Sequence, residues 1–83
     1  MKAVYFAWVR ERVGKAEEEL NPPSTVTTVG DLMAWLSGQG EGYAHAFERP
    51  STVRAAVDRV HARRDAAIAG AKEVAFFPPM TGG

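Results

Sequence analysis

The residues best suited to chemistry end the sequence, which closes Phe76-Phe77-Pro78-Pro79-Met80-Thr81-Gly82-Gly83. The two prolines favour an extended backbone at the start of this terminal segment. The residues from Pro78 to Gly83 can reach roughly 20 Å when extended. Glycine has no side chain, so Gly82 and Gly83 can enter a channel that is too narrow for any other residue. The predicted reactive group is the α-carboxyl of Gly83, which becomes an acyl donor only after another protein activates it.

The terminal glycine pair also has a simpler interpretation, which is a frayed chain end without a function. At average glycine usage of about 7%, such a pair arises by chance in about one chain in two hundred. The glycine pair alone is therefore weak evidence for a functional tail. The strong strand pattern and the two prolines that precede it favour a tail that delivers its carboxylate to another protein.

The rest of the sequence offers little other catalytic chemistry. It contains no cysteine, which excludes disulfides, thiolate metal sites and a cysteine nucleophile. The two histidines, His45 and His61, have no second ligand at metal-binding spacing, so we predict no metal site. Residues 38–42 (Gly-Gln-Gly-Glu-Gly) lack the Lys-Ser/Thr of a phosphate loop and follow a helix, so we predict a flexible loop that ends that helix.

Composition describes one small domain. The 83 residues are 46% hydrophobic and 24% charged, as in ordinary globular domains. Ten basic residues balance ten acidic ones, which argues against a nucleic-acid or anionic-membrane partner. The longest apolar stretch, residues 3–9, is too short to span a membrane. No signal-peptide pattern is visible, so we expect a cytoplasmic protein.

The elements that must position the tail are strands and one main helix. Aromatic and β-branched residues predict strands over residues 2–9, 52–57, 60–62 and 73–77. Residues 10–14 are polar and end in glycine, which predicts a turn or a single helical turn, and residues 15–20 can then return as a second strand that completes a hairpin. The first strand is apolar on both faces, so we expect the domain's own helix to cover one face and a partner to cover the other. Asp58-Arg59 is a possible tight turn between the third and fourth strands.

The clearest helix is predicted from an apolar face with helical spacing, formed by Val29, Leu32, Met33 and Leu36. Thr28 is a plausible N-cap, and Asp31 adds favourable negative charge in the first turn. Residues 43–47 predict a short second helix. The order β-β-α-β-β-β predicts an α+β, β-grasp (ubiquitin-like) roll over residues 1–77, with an extended tail over residues 78–83.

Charge is concentrated in two places. The acidic run is Glu17 to Glu19, and the basic stretch contains Arg54, Arg59, Arg63 and Arg64. Both are interpreted first as solvated faces that aid solubility. The alternative, docking onto complementary partners, stays open.

Four segments resemble one family. They are residues 73–83, Val4-Tyr5-Phe6-Ala7, Val9-Arg10-Glu11 and Ala55-Ala56-Val57-Asp58. They are similar to the small subunits of molybdopterin synthase, the sulfur carriers of molybdenum cofactor biosynthesis. Met80-Thr81 stands where that family more usually has Val-Ser or Val-Thr, and residues 60–64 are more basic than in the family.

The resemblance implies a ubiquitin-like fold and a defined cycle. An E1-like enzyme uses ATP to adenylate the Gly83 carboxylate, and sulfur then replaces an oxygen to give a thiocarboxylate. The tail, formed by Pro78, Pro79, Met80, Thr81, Gly82 and Gly83, would enter a channel in the large subunit and donate sulfur to a cyclic pyranopterin precursor. By this resemblance the catalytic side chains belong to the large subunit, in a heterotetramer. This chain, which binds no permanent cofactor, is a non-catalytic subunit and co-substrate.

In such a fold the first and last strands pair, which would place Phe6 and Phe77 side by side. If both face outward, they form an exposed aromatic patch beside the tail, and exposed apolar patches usually mark interaction sites. The alternative is that both are core residues. Three other functions stay open: a sulfur carrier for thiamine thiazole synthesis, a ubiquitin-like protein modifier, and a plain binding module.

Overall fold

The computed structural model describes residues 1–79, so the predictions for Met80, Thr81, Gly82 and Gly83 lie outside the described residues. The elements are β1 (Lys2–Tyr5), α1 (Ala7–Val13), β2 (Glu17–Glu19), α2 (Val29–Ser37), α3 (Glu41–Ala46), a 3-10 turn (Pro50–Thr52), β3 (Arg54–Val57), β4 (Val60–Ala62) and β5 (Glu73–Phe77).

The strands form a single mixed sheet in the order β2-β1-β5-β3-β4. The central pair, β1 and β5, runs parallel with Tyr5 opposite Phe76, and the other pairs are antiparallel. The predicted α+β, β-grasp architecture is therefore confirmed.

Helix α2 forms as its spacing predicts. Thr28 is the N-cap: its hydroxyl accepts a hydrogen bond from the Asp31 N–H at 3.1 Å, and the Thr28 N–H donates to the Asp31 carboxylate at 3.2 Å. This reciprocal capping box satisfies backbone donors that the first turn would otherwise leave unpaired. The predicted apolar face is buried, with 0–2% exposure at Val29, Leu32, Met33 and Leu36.

The prediction that the first strand runs to Val9 is wrong. The strand ends at Tyr5, and Ala7–Val13 form a helix where we expected the strand to continue to Val9 before a turn or a single helical turn. Val9 and Val13 lie four residues apart on one helical face and are both buried. Gly14, in the left-handed conformation at φ 92°, ends α1 and donates its N–H to the Arg10 carbonyl.

The predicted flexible loop at residues 38–42 is only partly correct, because α3 already begins at Glu41. Gly42 has a packing role: a Cβ there would lie 2.5 Å from the Arg12 carbonyl oxygen. The absence of a side chain lets α3 approach α1 closely. The predicted second helix is confirmed, although it starts earlier than expected.

The core lies between the sheet and the three helices. On this face Ala3, Tyr5, Val74 and Phe76 are at most 1% exposed. Tyr5 stacks on Phe76 with ring centroids 6.2 Å apart, and Phe47 from the end of α3 meets Phe76 edge-on at 5.1 Å. We call the opposite side of the sheet the open face. Its residues, such as Lys2, Val4, Arg54 and Phe77, do not belong to the core cluster.

No helix within residues 1–79 is long and apolar enough to cross a membrane. Within the same residues, no group of three or more His, Cys, Asp or Glu side chains is arranged to hold a metal ion.

Candidate functional site

Strand β5 carries the chain to the tail from the middle of the sheet. It lies between β1 and β3, and Phe77 is its last residue, opposite Arg54. The half-buried Pro78 and Pro79 follow. Neither can donate a backbone hydrogen bond to a neighbouring strand, so the strand ends where the sequence predicts. Two neighbouring strands therefore fix the point from which the tail departs.

Phe6 and Phe77 lie together at this point. The Phe6 N–H donates to the Phe76 carbonyl oxygen at 3.0 Å, which continues the β1–β5 pairing by one residue. Since Tyr5 lies opposite Phe76, Phe6 and Phe77 share the open face. Phe6 is 49% exposed, so it is not a core residue, and Phe77 is half-buried. Their role as partner contacts stays a prediction.

A sharp backbone turn keeps Phe6 outside. Ala7 has a φ of 51°, which is uncommon for a residue with a Cβ. This turn ends the strand and directs α1 towards the core side, where Val9 is buried. Phe6 therefore stays on the open face.

The open face carries a depression of about 520 Å³ beside the root of the tail. We call it the aromatic depression. Its apolar lining includes Val4, Phe6, Ala56, Ala75 and Phe77. His61 of β4 packs edge-on against Phe77, with ring centroids 5.5 Å apart at 87°. A concave surface that contains aromatic side chains is suited to a side chain of another protein.

Charges of both signs surround the aromatic depression. The cations are Lys2, Arg10 and Arg59, and the anions are Glu17 and Glu73. Lys2 and Glu17 form an ion pair at 2.7 Å, and that hydrogen bond raises the pKa of Lys2. A rim of mixed sign selects the orientation of a partner more than it adds affinity.

Arg59 reaches this rim from the tight turn between β3 and β4. The turn residues Asp58 and Arg59 have φ values of 48° and 69°, as expected for a two-residue hairpin turn of the primed type. The Asp58 carboxylate accepts hydrogen bonds from the N–H groups of Lys72 and Glu73 at 2.9 and 3.0 Å. The turn, which the sequence predicts, is thereby fastened to the start of β5.

Glu18 does not follow the prediction of a solvated acidic face. It alternates with Glu17 and Glu19, so its side chain lies on the helix side of the sheet. One carboxylate oxygen accepts hydrogen bonds from the Tyr5 hydroxyl at 2.8 Å and the Tyr43 hydroxyl at 2.7 Å. These bonds connect β2 to β1 and α3. The prediction holds for the exposed Glu17 and Glu19 and fails for Glu18.

The network shifts the pKa values of its members. Partial burial raises the pKa of Glu18, but the two tyrosine hydrogen bonds and the charge of Lys15 outweigh it, so the pKa lies below its ordinary value of 4.5. Burial, with the Glu18 hydrogen bond, raises the pKa of Tyr5 and of Tyr43. The Glu18 carboxylate is thus held ionised, with both tyrosines as donors, which is a structural role.

The described part of the site is equipped for binding. Phe6 and Phe77 share the open face at one end of β5, as the sequence predicts they would if the first and last strands pair, and Pro78 and Pro79 follow directly in the chain. Sequence reasoning missed His61, Arg10 and Arg59 as neighbours of Phe6 and Phe77, because they come from separate elements. For His61 and Arg59 the available signal was the pairing of β3 with β5, which brings the Asp58-Arg59 turn and β4 to this face.

Known proteins resemble this chain along its full length. The sequence profile of the ThiS family matches residues 3–83. The chain is 36% identical over 83 residues to the molybdopterin synthase sulfur carrier subunit of Escherichia coli (strain K12). That alignment covers 100% of this chain and 99% of the relative.

Solved structures resemble the fold. SAMP1 from Haloferax volcanii superimposes with a TM-score of 0.72 at 25% identity, covering 100% of this chain and 98% of that chain. A putative molybdopterin converting factor, subunit 1, from Pyrococcus furiosus gives a TM-score of 0.65 at 24% identity, with 95% of each chain covered. The latter likeness concerns the fold alone. Because the family profile spans nearly the whole sequence, this chain belongs to the ThiS family.

Proposed function

We propose that this protein is the sulfur-carrier subunit of a molybdopterin synthase. The observation that carries the proposal is the position at which the folded strand ends: the central strand β5 ends at Phe77, beside the aromatic depression, and the sequence after it includes Gly82-Gly83. The full-length similarity to a relative named as such a carrier supports the same function.

The proposed chemistry takes place at the Gly83 carboxylate. An E1-like activating enzyme transfers AMP from ATP to this carboxylate, because a free carboxylate is a poor acyl donor. A sulfur nucleophile then displaces AMP and leaves a thiocarboxylate. The loaded tail enters the large synthase subunit and donates its sulfur to the cyclic pyranopterin precursor. Two such rounds build the dithiolene.

In this proposal each residue of the tail has a steric role. Gly82 and Gly83 pass through a channel that excludes side chains, and residues 78–81 span the distance from the sheet to the partner's active site. The chain is a co-substrate without a resident cofactor, and the catalytic side chains belong to the large subunit. A heterotetramer of two small and two large subunits, located in the cytoplasm, stays a prediction.

The aromatic depression is the proposed docking surface for the partners. Phe6 and Phe77 lie at the root of the tail, so a protein that holds this surface also receives the tail. Half-buried aromatic residues within an apolar surface are common anchors of interfaces. The activating enzyme and the large subunit both need Gly83, so they would bind this surface in turn.

Intact mass measurement tests the proposed chemistry. The protein is incubated with a candidate activating enzyme, ATP and a sulfur donor, and we expect the mass change for exchange of one oxygen for sulfur, located in the C-terminal peptide. The control is a variant with one residue appended after Gly83, which we expect to remain unmodified. If only the free acid is found under conditions that load a known carrier, the proposal is wrong.

The identity of the sulfur acceptor needs a second experiment. The thiocarboxylate form is mixed with the large subunit and the cyclic pyranopterin precursor, or instead with thiazole synthase and its substrates. We expect transfer to the pyranopterin only. Transfer to the thiazole would support the thiamine alternative, and Gly83-dependent adducts on lysines would support a protein modifier.

Gly82→Val tests the channel argument. Gly82 lies five residues beyond the end of β5, so we expect the thermal midpoint to stay unchanged, whereas the added side chain blocks entry of the tail and abolishes sulfur transfer. Met80→Val, which matches the residue more usual in the related family, is the control and keeps transfer. Full transfer by Gly82→Val would refute the narrow channel.

A further inference from the structure

Among the described residues 1–79, strand β4 pairs only with β3 and so forms one edge of the sheet. In the hairpin Val57 lies opposite Val60 next to the two-residue turn, so these two form a hydrogen-bonded pair. The alternation of hydrogen bonds then directs the N–H and C=O of His61 away from β3. Val60 is 68% exposed, which is unusual for an apolar residue on an edge strand.

A groove of about 500 Å³ lies against this edge, between β4, the start of β3 and helix α2. We call it the edge groove. Its apolar residues are Val29, Met33, Val53, Ala55 and Ala62, and Pro50 and Ser51 of the 3-10 turn line it as well. Within residues 1–79, His61 is the one lining residue that the edge groove and the aromatic depression have in common.

Three arginines line the edge groove. Arg54, Arg63 and Arg64 are exposed, and among residues 1–79 none of them forms an ion pair. Since Ala55 lies opposite Ala62, the continued register places Arg54 opposite Arg63. Like charges directly opposite one another on neighbouring strands are unfavourable. A bound carboxylate would remove this repulsion.

We propose that the β4 edge and the edge groove bind an acidic, extended segment of a partner protein. The segment adds a strand to β4 through the outward main-chain groups of His61, which is a common form of peptide recognition. Its alternate apolar side chains enter the groove, and its carboxylates contact the three arginines. This proposal is independent of the chemistry at Gly83.

A second copy of the chain is a weaker candidate for this edge. Its acidic strand β2 has the required sign of charge, but the glutamates of β2 already have partners. Glu17 pairs with Lys2 at 2.7 Å, and Glu18 accepts two tyrosine hydrogen bonds. Binding through β2 would disturb contacts that hold the sheet together, so the charge complementarity favours a different protein.

Fluorescence anisotropy of the full chain with a short labelled peptide tests the proposal. In the probe, valine alternates with glutamate. We expect saturable binding that weakens as salt rises, and an affinity loss of roughly tenfold or more for the double variant Arg63→Glu/Arg64→Glu and for Arg54→Glu. Lys72→Glu, an exposed charge reversal that lines neither the edge groove nor the aromatic depression, serves as the control and keeps the affinity.

Two further probes separate strand addition from simple charge attraction. The same peptide with N-methyl groups on alternate residues cannot form the main-chain hydrogen bonds along one edge, so one of the two methylation patterns should abolish binding. A peptide that alternates valine with lysine should not bind. Circular dichroism verifies that each variant is folded, and Arg54→Glu provides an independent variant if the double one is not.

Four outcomes would overturn the proposal. They are no binding of the acidic peptide, equal binding of the lysine peptide, affinity unchanged by the arginine reversals, and equal binding of both N-methylated peptides. A single-stranded oligonucleotide that displaces the peptide at lower concentration would assign the arginines to nucleic acid instead. Concentration-dependent dimers that the arginine reversals abolish, seen by sedimentation, would assign the edge to a second copy.

Discussion

The two faces of the sheet use neighbouring residues of the same strand for different purposes. In β5, Val74 and Phe76 face the helices and are 0% exposed. Phe77 faces the other way, half-buried, at the border of the aromatic depression. Because strand residues alternate between faces, a single pentapeptide contributes both to the core and to the surface from which the tail departs.

The contrast is sharpest for the two adjacent phenylalanines. Phe76 contacts Tyr5 and Phe47 within the core, so its ring is enclosed on all sides. Within residues 1–79, His61 is the only aromatic residue whose ring packs against that of Phe77, and His61 is itself exposed. Identical side chains one position apart should therefore differ in their effect on folding and on binding, which is a testable consequence of the two-face arrangement.

The largest effect is expected for Phe76→Ala. Removal of a fully buried ring leaves a cavity, so the free energy of unfolding should fall by about 3–5 kcal/mol. Urea denaturation followed by circular dichroism measures this loss. The matched control is Phe77→Ala, for which we expect a loss of less than about 1 kcal/mol. Equal losses for the two variants would show that the open face is also part of the core.

The second effect concerns binding. If Phe77 anchors a partner, Phe77→Ala should weaken the complex with the large synthase subunit by about 2 kcal/mol, or roughly 30-fold. Phe6→Ala should act in the same direction. Val60→Ala removes an exposed apolar side chain that lies outside the aromatic depression, and it should leave this affinity unchanged. Titration calorimetry provides the comparison, and an unaffected Phe77→Ala complex would remove Phe77 from the interface.

Much of the fold follows from local sequence patterns. The aromatic and β-branched residues of 73–77 predict a strand, the spacing of Val29, Leu32, Met33 and Leu36 predicts a helix, and both elements form as predicted. The end of β1 could not be predicted in the same way. Val4, Phe6 and Trp8 continue a strand-like alternation, whereas the burial of Val9 and Val13 depends on helices that follow later in the chain.

The candidate site also has one part that could be predicted from the sequence and one part that could not. The tail and the Phe6–Phe77 pair could be predicted, because the tail is a local motif and the pair needs only the adjacency of the first and last strands. The rim of the aromatic depression could not, since Arg10, Arg59 and Glu73 come from three distant segments. The orientation of Glu18 could have been predicted, because the middle residue of three in a strand faces away from the side of its two neighbours.

A smaller effect on the free energy of unfolding should distinguish Glu18, on the helix side of β2, from Glu17, on the open face. Glu18→Gln weakens two hydrogen bonds to a charged acceptor, so we expect a loss of about 1–2 kcal/mol in the free energy of unfolding. Glu17→Gln, on the open face, removes only an exposed ion pair with Lys2, which is worth about 0–1 kcal/mol. Denaturation midpoints of the two variants make the test, and a larger loss at Glu17 would contradict the assignment of faces.

The smallest effect is the pH dependence of the stability that Glu18→Gln loses relative to the native protein. The pKa of Glu18 in the folded protein lies below its ordinary value of 4.5, so its contribution is complete above that value and disappears as the pH falls through the folded-state pKa. The stability difference between the native protein and Glu18→Gln should be constant near neutral pH and shrink below about pH 4.5. Other carboxylates titrate in both proteins, so the difference isolates Glu18. A difference that stays constant into the acid range would show that the tyrosines do not depend on the charge of Glu18, and that its place on the core side rests on packing alone.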